Sequence, residues 1–186
     1  MRVRVFSPPG GICLVRPTDE SRDILNSLSF PSKVALGSSW KPVRVSLDWV
    51  DQNNSKRRRV MADFPTPNFR AMVMTQRAKA ALGAFLAPYG EFLSLECPDA
   101  ELYAFNATKI VDALDISKST LANKENINPE APLLLKAAFM PERLEAVEIF
   151  RLPQRNQMQT YFTDALLDAV SVNGLTGFGS RIEWEA

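Results

Sequence analysis

Apolar and polar positions alternate at both ends of the chain. In "MRVRVF" (residues 1–6), Val3 and Val5 fall on one face and Arg2 and Arg4 on the other, which predicts a short strand. "SPPGG" then breaks it. "DESRDILNSL" places Ile24, Leu25 and Leu28 on one side of a short helix. "VRVSLDWV" (43–50) alternates again, with Val43, Val45, Leu47 and Trp49 on one side, and predicts a half-buried strand. "DQNNSKRRR" after it is polar and turn-rich and predicts an exposed loop. "DFPTPN" is extended, because residues before proline avoid the helical region.

The period changes from two to 3.6 over residues 76–87. Ala78, Ala81, Leu82, Phe85 and Leu86 form an apolar stripe, Thr75 stands at the N-cap, and Pro88 and Gly90 end the helix. "EFLSLEC" and "ELYAF", separated by Pro98-Asp99-Ala100, predict a hairpin. Residues 117–131 are polar and predict a loop. "LLLKAAF" and "VEIFRL" predict two strands with "PERL" as a helical turn between them. A second helix is expected over 164–172. Thr163 is its N-cap, Phe162 and Leu167 form a hydrophobic staple, and Gly174 takes the left-handed position after it. "GFGSRIEWE" closes the chain as a strand, with Phe178, Ile182 and Trp184 on one side. This order predicts an α+β fold: a mostly antiparallel sheet with two main helices in a single compact domain. Residues 1–35 are expected to be a weakly patterned segment packed on a domain formed by 36–186.

Composition narrows the function. With 46% apolar residues the chain can build a sizeable core, and a net charge of +1 provides no field to favour nucleic acid or a membrane surface. No window approaches the roughly 20 apolar residues that span a bilayer, and no signal-peptide pattern follows the N-terminus. Cys13 and Cys97 are then expected as free thiols in a reducing, cytoplasmic setting. The chain has no histidine. That removes Ser-His-Asp and Cys-His nucleophiles and histidine-containing zinc sites, and leaves carboxylate, lysine or tyrosine chemistry. No cofactor is expected.

Four features are candidates for chemistry. Asp112 and Asp115 stand three positions apart in "ATKIVDALDISKS", a spacing that pairs carboxylates on a helix and separates them on a strand. Flanked by Val111 and Leu114, they are read as turn-stabilising residues at a strand end. "SKRRR" (55–59) is the one dense basic cluster. It has no interleaved aromatics and is read as a solvated loop, with Lys56 to Arg59 as the alternative nucleic-acid patch. "GLTGFG" (174–179) follows a helix and precedes a strand, the reverse of the order a phosphate cradle needs. Cys97 has no histidine to activate it, and Trp40, Trp49 and Trp184 are read as core or interface anchors.

The segments "DFP" at 63, "AMVMTQRAKAALGAFLAPYGEFLSLEC" at 71, "ELYAFNATKIVDALDISKS" at 101, "FMPERLEAVEIFRLP" at 139 and "YFTDALLDAVSVNGLTGFGSRIEW" at 161 together carry a resemblance. They resemble the bacterial polymorphic-toxin immunity proteins of family eleven, formerly a domain of unknown function. The resemblance covers roughly residues 36–184, and its most specific part is Asn106 to Asp115. "TLANKENINPEAP" is longer and more polar than is usual there, and the first 35 residues carry little of the likeness. The resemblance implies a cytoplasmic, non-enzymatic antitoxin of bacterial competition. It would bind a cognate toxin or secreted effector, encoded by a neighbouring gene, through a protein–protein interface. The partner-binding residues stay unknown at this level, and the loops 51–60 and 117–131 are the first places to look. Two other classes stay open: a small enzyme using carboxylate, lysine or tyrosine groups, and a nucleic-acid-binding module centred on Lys56 to Arg59.

Overall fold

In the computed structural model, "RVRVF" forms strand β1 (Arg2–Phe6), with Val3 and Val5 buried. The structure describes residues 1–51, 54–122, 128, 130–154 and 158–186, and of residues 51 and 54–56 only the backbone. Strand β2 (Leu14–Pro17) leads into helix α1 (Asp19–Ser27), which buries Leu25. Strand β3 (Val43–Asp48) buries Val43, Val45 and Leu47 on one face, as its alternation requires. A hairpin of β4 (Val50–Asp51) and β5 (Asn54–Arg58) follows, then β6 (Thr66–Pro67) and β7 (Met72–Thr75). Helix α2 (Gln76–Leu86) begins at Thr75, whose hydroxyl accepts from the Ala78 N–H at 3.4 Å. Strands β8 (Gly90–Glu96) and β9 (Leu102–Ala107) form the expected hairpin. The remaining elements are β10 (Thr120–Leu121), β11 (Leu134–Lys136), a 3-10 turn at Pro141–Arg143, β12 (Ile149–Phe150), β13 (Tyr161–Phe162), α3 (Asp164–Val172) and β14 (Ser180–Glu185).

Two sheets organise these pieces. The larger has the order β6-β2-β3-β8-β9-β7, antiparallel except where β2 meets β6 and β3 meets β8. The smaller is fully antiparallel, with the order β12-β13-β1-β14. The class is therefore the α+β, mostly antiparallel fold that the pattern predicts. On one face of the larger sheet, Val15, Val45, Val73 and Leu93 pack against Leu25 and Leu28 at the end of α1. On its other face, Met72, Met74 and Phe105 pack against Leu82 and Leu86 of α2 and Leu166 and Val170 of α3. Ile149 and Phe162 of the smaller sheet join this second core, whereas their neighbours Phe150 and Tyr161 face a third. That third core gathers Val3, Val5, Phe139, Leu144 and Trp184 beneath the irregular segments around residues 111–116 and 137–147. Adjacent apolar residues on β12 and β13 thus supply two different cores, because successive strand side chains point to opposite faces.

The structure corrects several expectations. The polar run after Trp49 is no loop, since β4 and β5 pair there. A two-stranded ribbon is held by backbone hydrogen bonds, such as Arg59 N–H to Trp49 O at 2.8 Å, and hydropathy does not register these. Trp49 lies just past β3 and is 38% exposed rather than on the core face. Ile24 is 46% exposed on α1. In β14 a register shift against β1 sets Trp184 opposite Val3 but Ile182 opposite Arg4. One residue is inserted between those pairs, so Ile182 leaves the apolar face and is 47% exposed. "LLLKAAF" and "VEIFRL" contribute only three and two residues of strand.

Glycines at two sites test this description. A Cβ at Gly83, inside α2, would meet nothing within 4 Å. Gly177 has φ +80°, and a Cβ there would lie 2.5 Å from that of Ala62 and 2.8 Å from the Phe64 carbonyl oxygen. Gly83→Ala is expected to stabilise the protein by about 0.5–1 kcal/mol, because helix propensity is gained without a clash. Gly177→Ala is expected to destabilise it by more than about 1 kcal/mol. Urea titration of both variants measures the two signs.

Candidate functional site

The two aspartates of the "VDALD" stretch do not converge. This segment carries only isolated bridges, Ile110 to Arg151 and Leu114 to Phe139, so it is neither helix nor continuous strand. Asp112 accepts a hydrogen bond from the Gln154 side chain at 3.3 Å. Asp115 closes a turn, accepting from the Ser117 hydroxyl at 2.6 Å and the Lys118 N–H at 3.1 Å. The Ser117 bond, then the Lys118 N–H and ammonium, hold its carboxyl below the ordinary carboxylate range. Asp115 serves its own turn, as turn-stabilising residues do, whereas Asp112, expected in the same role, meets the side chain of Gln154, 42 positions further along the chain.

The basic cluster is split by the β4–β5 hairpin. Arg59 is committed to structure, donating to the Val50 carbonyl at 2.8 Å and pairing with Asp48 at 3.3 Å. Asp48 also pairs with Arg16 at 2.8 Å. Arg57 and Arg58 are exposed. The side chains of Ser55 and Lys56 lie outside the described residues, as do residues 123–127 and 129 of the 117–131 stretch.

The glycine-rich return at 174–179 serves a carboxylate that the sequence reading did not single out. Asp63 is 6% exposed. Its Oδ2 accepts from the Thr176 N–H at 2.8 Å, the Thr176 hydroxyl at 2.9 Å and Arg77 Nη1 at 2.6 Å. Its Oδ1 accepts from Thr75 Oγ1 at 3.4 Å. Gly174, at φ +56°, turns the chain out of α3, and its carbonyl accepts from Arg77 Nη2 at 3.1 Å. Phe178 then packs among Phe64, Phe6 and Phe162, with ring centroids at 4.9, 5.3 and 5.5 Å. The loop is an internal clamp: its Thr176 N–H is turned to Asp63, and the N–H groups of Gly174 and Leu175 bond the Ser171 and Val170 carbonyls of α3.

A cleft of about 190 Å3 opens along the seam of the two sheets. Phe6, Phe69, Met72, Ile149, Phe162 and Leu166 form its apolar wall, and Arg70, Gln159 and Thr160 its polar border. Arg70 is exposed and, among the described residues, is the only charged one in the lining. Among the described residues it makes no hydrogen bond or ion pair. Behind the border lies Arg151, 0% exposed. Its Nε donates to Thr160 Oγ1 at 3.2 Å and its Nη1 to the Phe30 carbonyl at 3.1 Å. Among the described residues, its Nη2 and the Oε1 of Gln154 are buried without a hydrogen-bond partner. Burial pushes Arg151 down to about 10, still well above neutrality, so the guanidinium stays charged inside the fold. No motif announced this arrangement, because its parts come from residues 6, 69–72 and 149–166.

The described residues contain no cluster of three or more Cys, Asp or Glu side chains suited to hold a metal ion, and no helix long and apolar enough to cross a membrane. Cys13, buried, and Cys97 are both free thiols.

A model of the immunity protein family (Imm11) matches residues 26–181. The chain belongs to that family. The match takes in α2, α3, every residue of the Asp63 clamp and of the Arg151 contacts, and the strands of both sheets except β1, β2 and most of β14. No curated protein matches the chain.

Two substitutions separate the structural carboxylates from each other. Asp63→Asn places an amide against donors that need an acceptor, and is expected to cost about 1.5–3 kcal/mol in urea titrations. Asp115→Asn is expected to lower the melting temperature at pH 7. The Asp115 carboxyl titrates lower in the folded protein than in the unfolded chain, so its stabilisation is present above the unfolded value of about 3.9. It is lost as pH falls through the lower folded value. The gap between wild type and Asp115→Asn should therefore close in melts taken at progressively more acidic pH.

Proposed function

We propose that the protein is an immunity protein that binds a cognate bacterial toxin and neutralises it through a protein–protein interface, without catalysis of its own. The observation that carries this reading is the family match over residues 26–181. The state of the polar groups is consistent with it. Asp112, Asp115 and Asp63 each accept hydrogen bonds from within the protein, and Thr176 of the glycine-rich loop donates to Asp63. The protein would act in the cytoplasm of the producing cell, against a toxin encoded by a neighbouring gene. An interface of the usual size would bury about 1,200–2,000 Å2.

Co-expression tests this directly. The toxin gene beside this one is expressed in a naive host with and without the protein, survival is scored, and the pair is then co-purified. Rescue together with a stable complex is the expected result. Rescue without a complex would overturn direct binding and point to repair or prevention of the damage by other means. No rescue of a demonstrably toxic neighbour would overturn immunity toward that toxin.

A further inference from the structure

We infer that the cleft between the two sheets is the docking point for the toxin, and that it takes a large apolar side chain flanked by a carboxylate. This deepens the immunity reading and rests on it. Three observations converge.

Size comes first. At about 190 Å3 the cleft is well below the roughly 300–1,000 Å3 of small-molecule and cofactor sites, and it suits a single large side chain. Pockets of this kind, filled by one buried anchor, dominate protein–protein binding.

Charge is the second. The wall is apolar, and among the described residues Arg70 is the only charged one in the lining and has no partner. Among the described residues the lining holds no Asp or Glu, which leaves the guanidinium fork for a carboxylate brought by the occupant. Such pairs are frequently bidentate and fix orientation.

The third is the floor of the polar border. Thr160 lines the cleft and is held from behind by the buried Arg151, whose Nη2 has no partner among the described residues. A second cation set close to the border, with no carboxylate of the described residues bonded to it, adds to the preference for a negatively charged occupant. The Thr160 hydroxyl receives the Arg151 N–H, and its own proton is left to donate to that occupant.

The test begins without the toxin, on the isotope-labelled full-length protein titrated with blocked tetrapeptides and followed by amide NMR shifts. A peptide carrying phenylalanine followed by glutamate should give saturable shifts at Arg70, Ala71 and Thr160. Peptides with lysine in place of glutamate, or alanine in place of phenylalanine, should bind at least ten-fold more weakly. Arg70→Glu should abolish the preference, and Arg22→Glu, an equal charge change on α1, should leave it intact. Equal binding of all peptides, or shifts confined elsewhere, would overturn the inference. Octanoate binding more tightly than the glutamate peptide would also overturn it, in favour of an amphiphilic acid as the occupant. The neighbouring toxin is the second arm. Arg70→Glu and Gln159→Trp, which plugs the cleft, should each weaken the complex at least ten-fold, and Arg22→Glu less than two-fold. A toxin complex indifferent to both cleft variants would overturn the docking site and leave immunity standing. A wild-type protein that forms no toxin complex would overturn the immunity reading, and the peptide titration would still decide the chemistry of the cleft.

Discussion

The buried carboxylate of Asp63 is the interaction on which the rest of the molecule depends. It draws together the start of α2, the stretch before β6 and the return from α3 into β14, three segments far apart in sequence. An unpaired carboxylate at that depth would be costly, so four donors surround it. With the clamp in place, Phe64 and Phe178 meet and pack on Phe6 and Phe162 of the smaller sheet. The cleft lies further along the seam, bordered by Met72 of the larger sheet and Ile149 of the smaller.

Most of the local structure was legible from periodicity. Val3 and Val5, the buried Ala78, Leu82 and Leu86 of α2, the Thr75 and Thr163 caps, and the β8–β9 hairpin all follow from residues within a few positions of each other, whereas Ala81, expected on the same stripe, is exposed. What escaped was set by distant partners. "LVRP" alternates no better than a loop, yet it becomes β2 because β3 and β6 flank it. "MVM" at 72–74 is apolar at every position because β7 is buried on both faces, which erases the alternation that marks a strand. Ile182 was misplaced because a bulge depends on the register with β1, and nothing within β14 itself encodes that register.

The functional groups were less legible than the fold, for the same reason. Asp112 and Asp115 drew attention by spacing, but a spacing of three carries meaning only on a helix, and none forms there. Lys56 to Arg59 drew attention by density, although Arg59 is consumed by Asp48 and a backbone carbonyl. Arg70 and Arg151 stood out in neither way. Each is a single basic residue in an apolar stretch, and only the fold makes one an exposed cation at a cleft and the other a buried one behind it.

The position of β1 has a consequence for when the protein can act. This strand lies between β13 and β14, so the first residues of the chain are completed by the last. The smaller sheet cannot close until residue 185 has been synthesised. At about 5–20 residues per second, that is roughly 10–40 seconds after β1 is made. Through that interval Val3 and Val5 lack their neighbours, and one wall of the cleft is unfinished. A chain still on the ribosome therefore carries an unpaired β1, and the smaller sheet is assembled only once synthesis has passed β14.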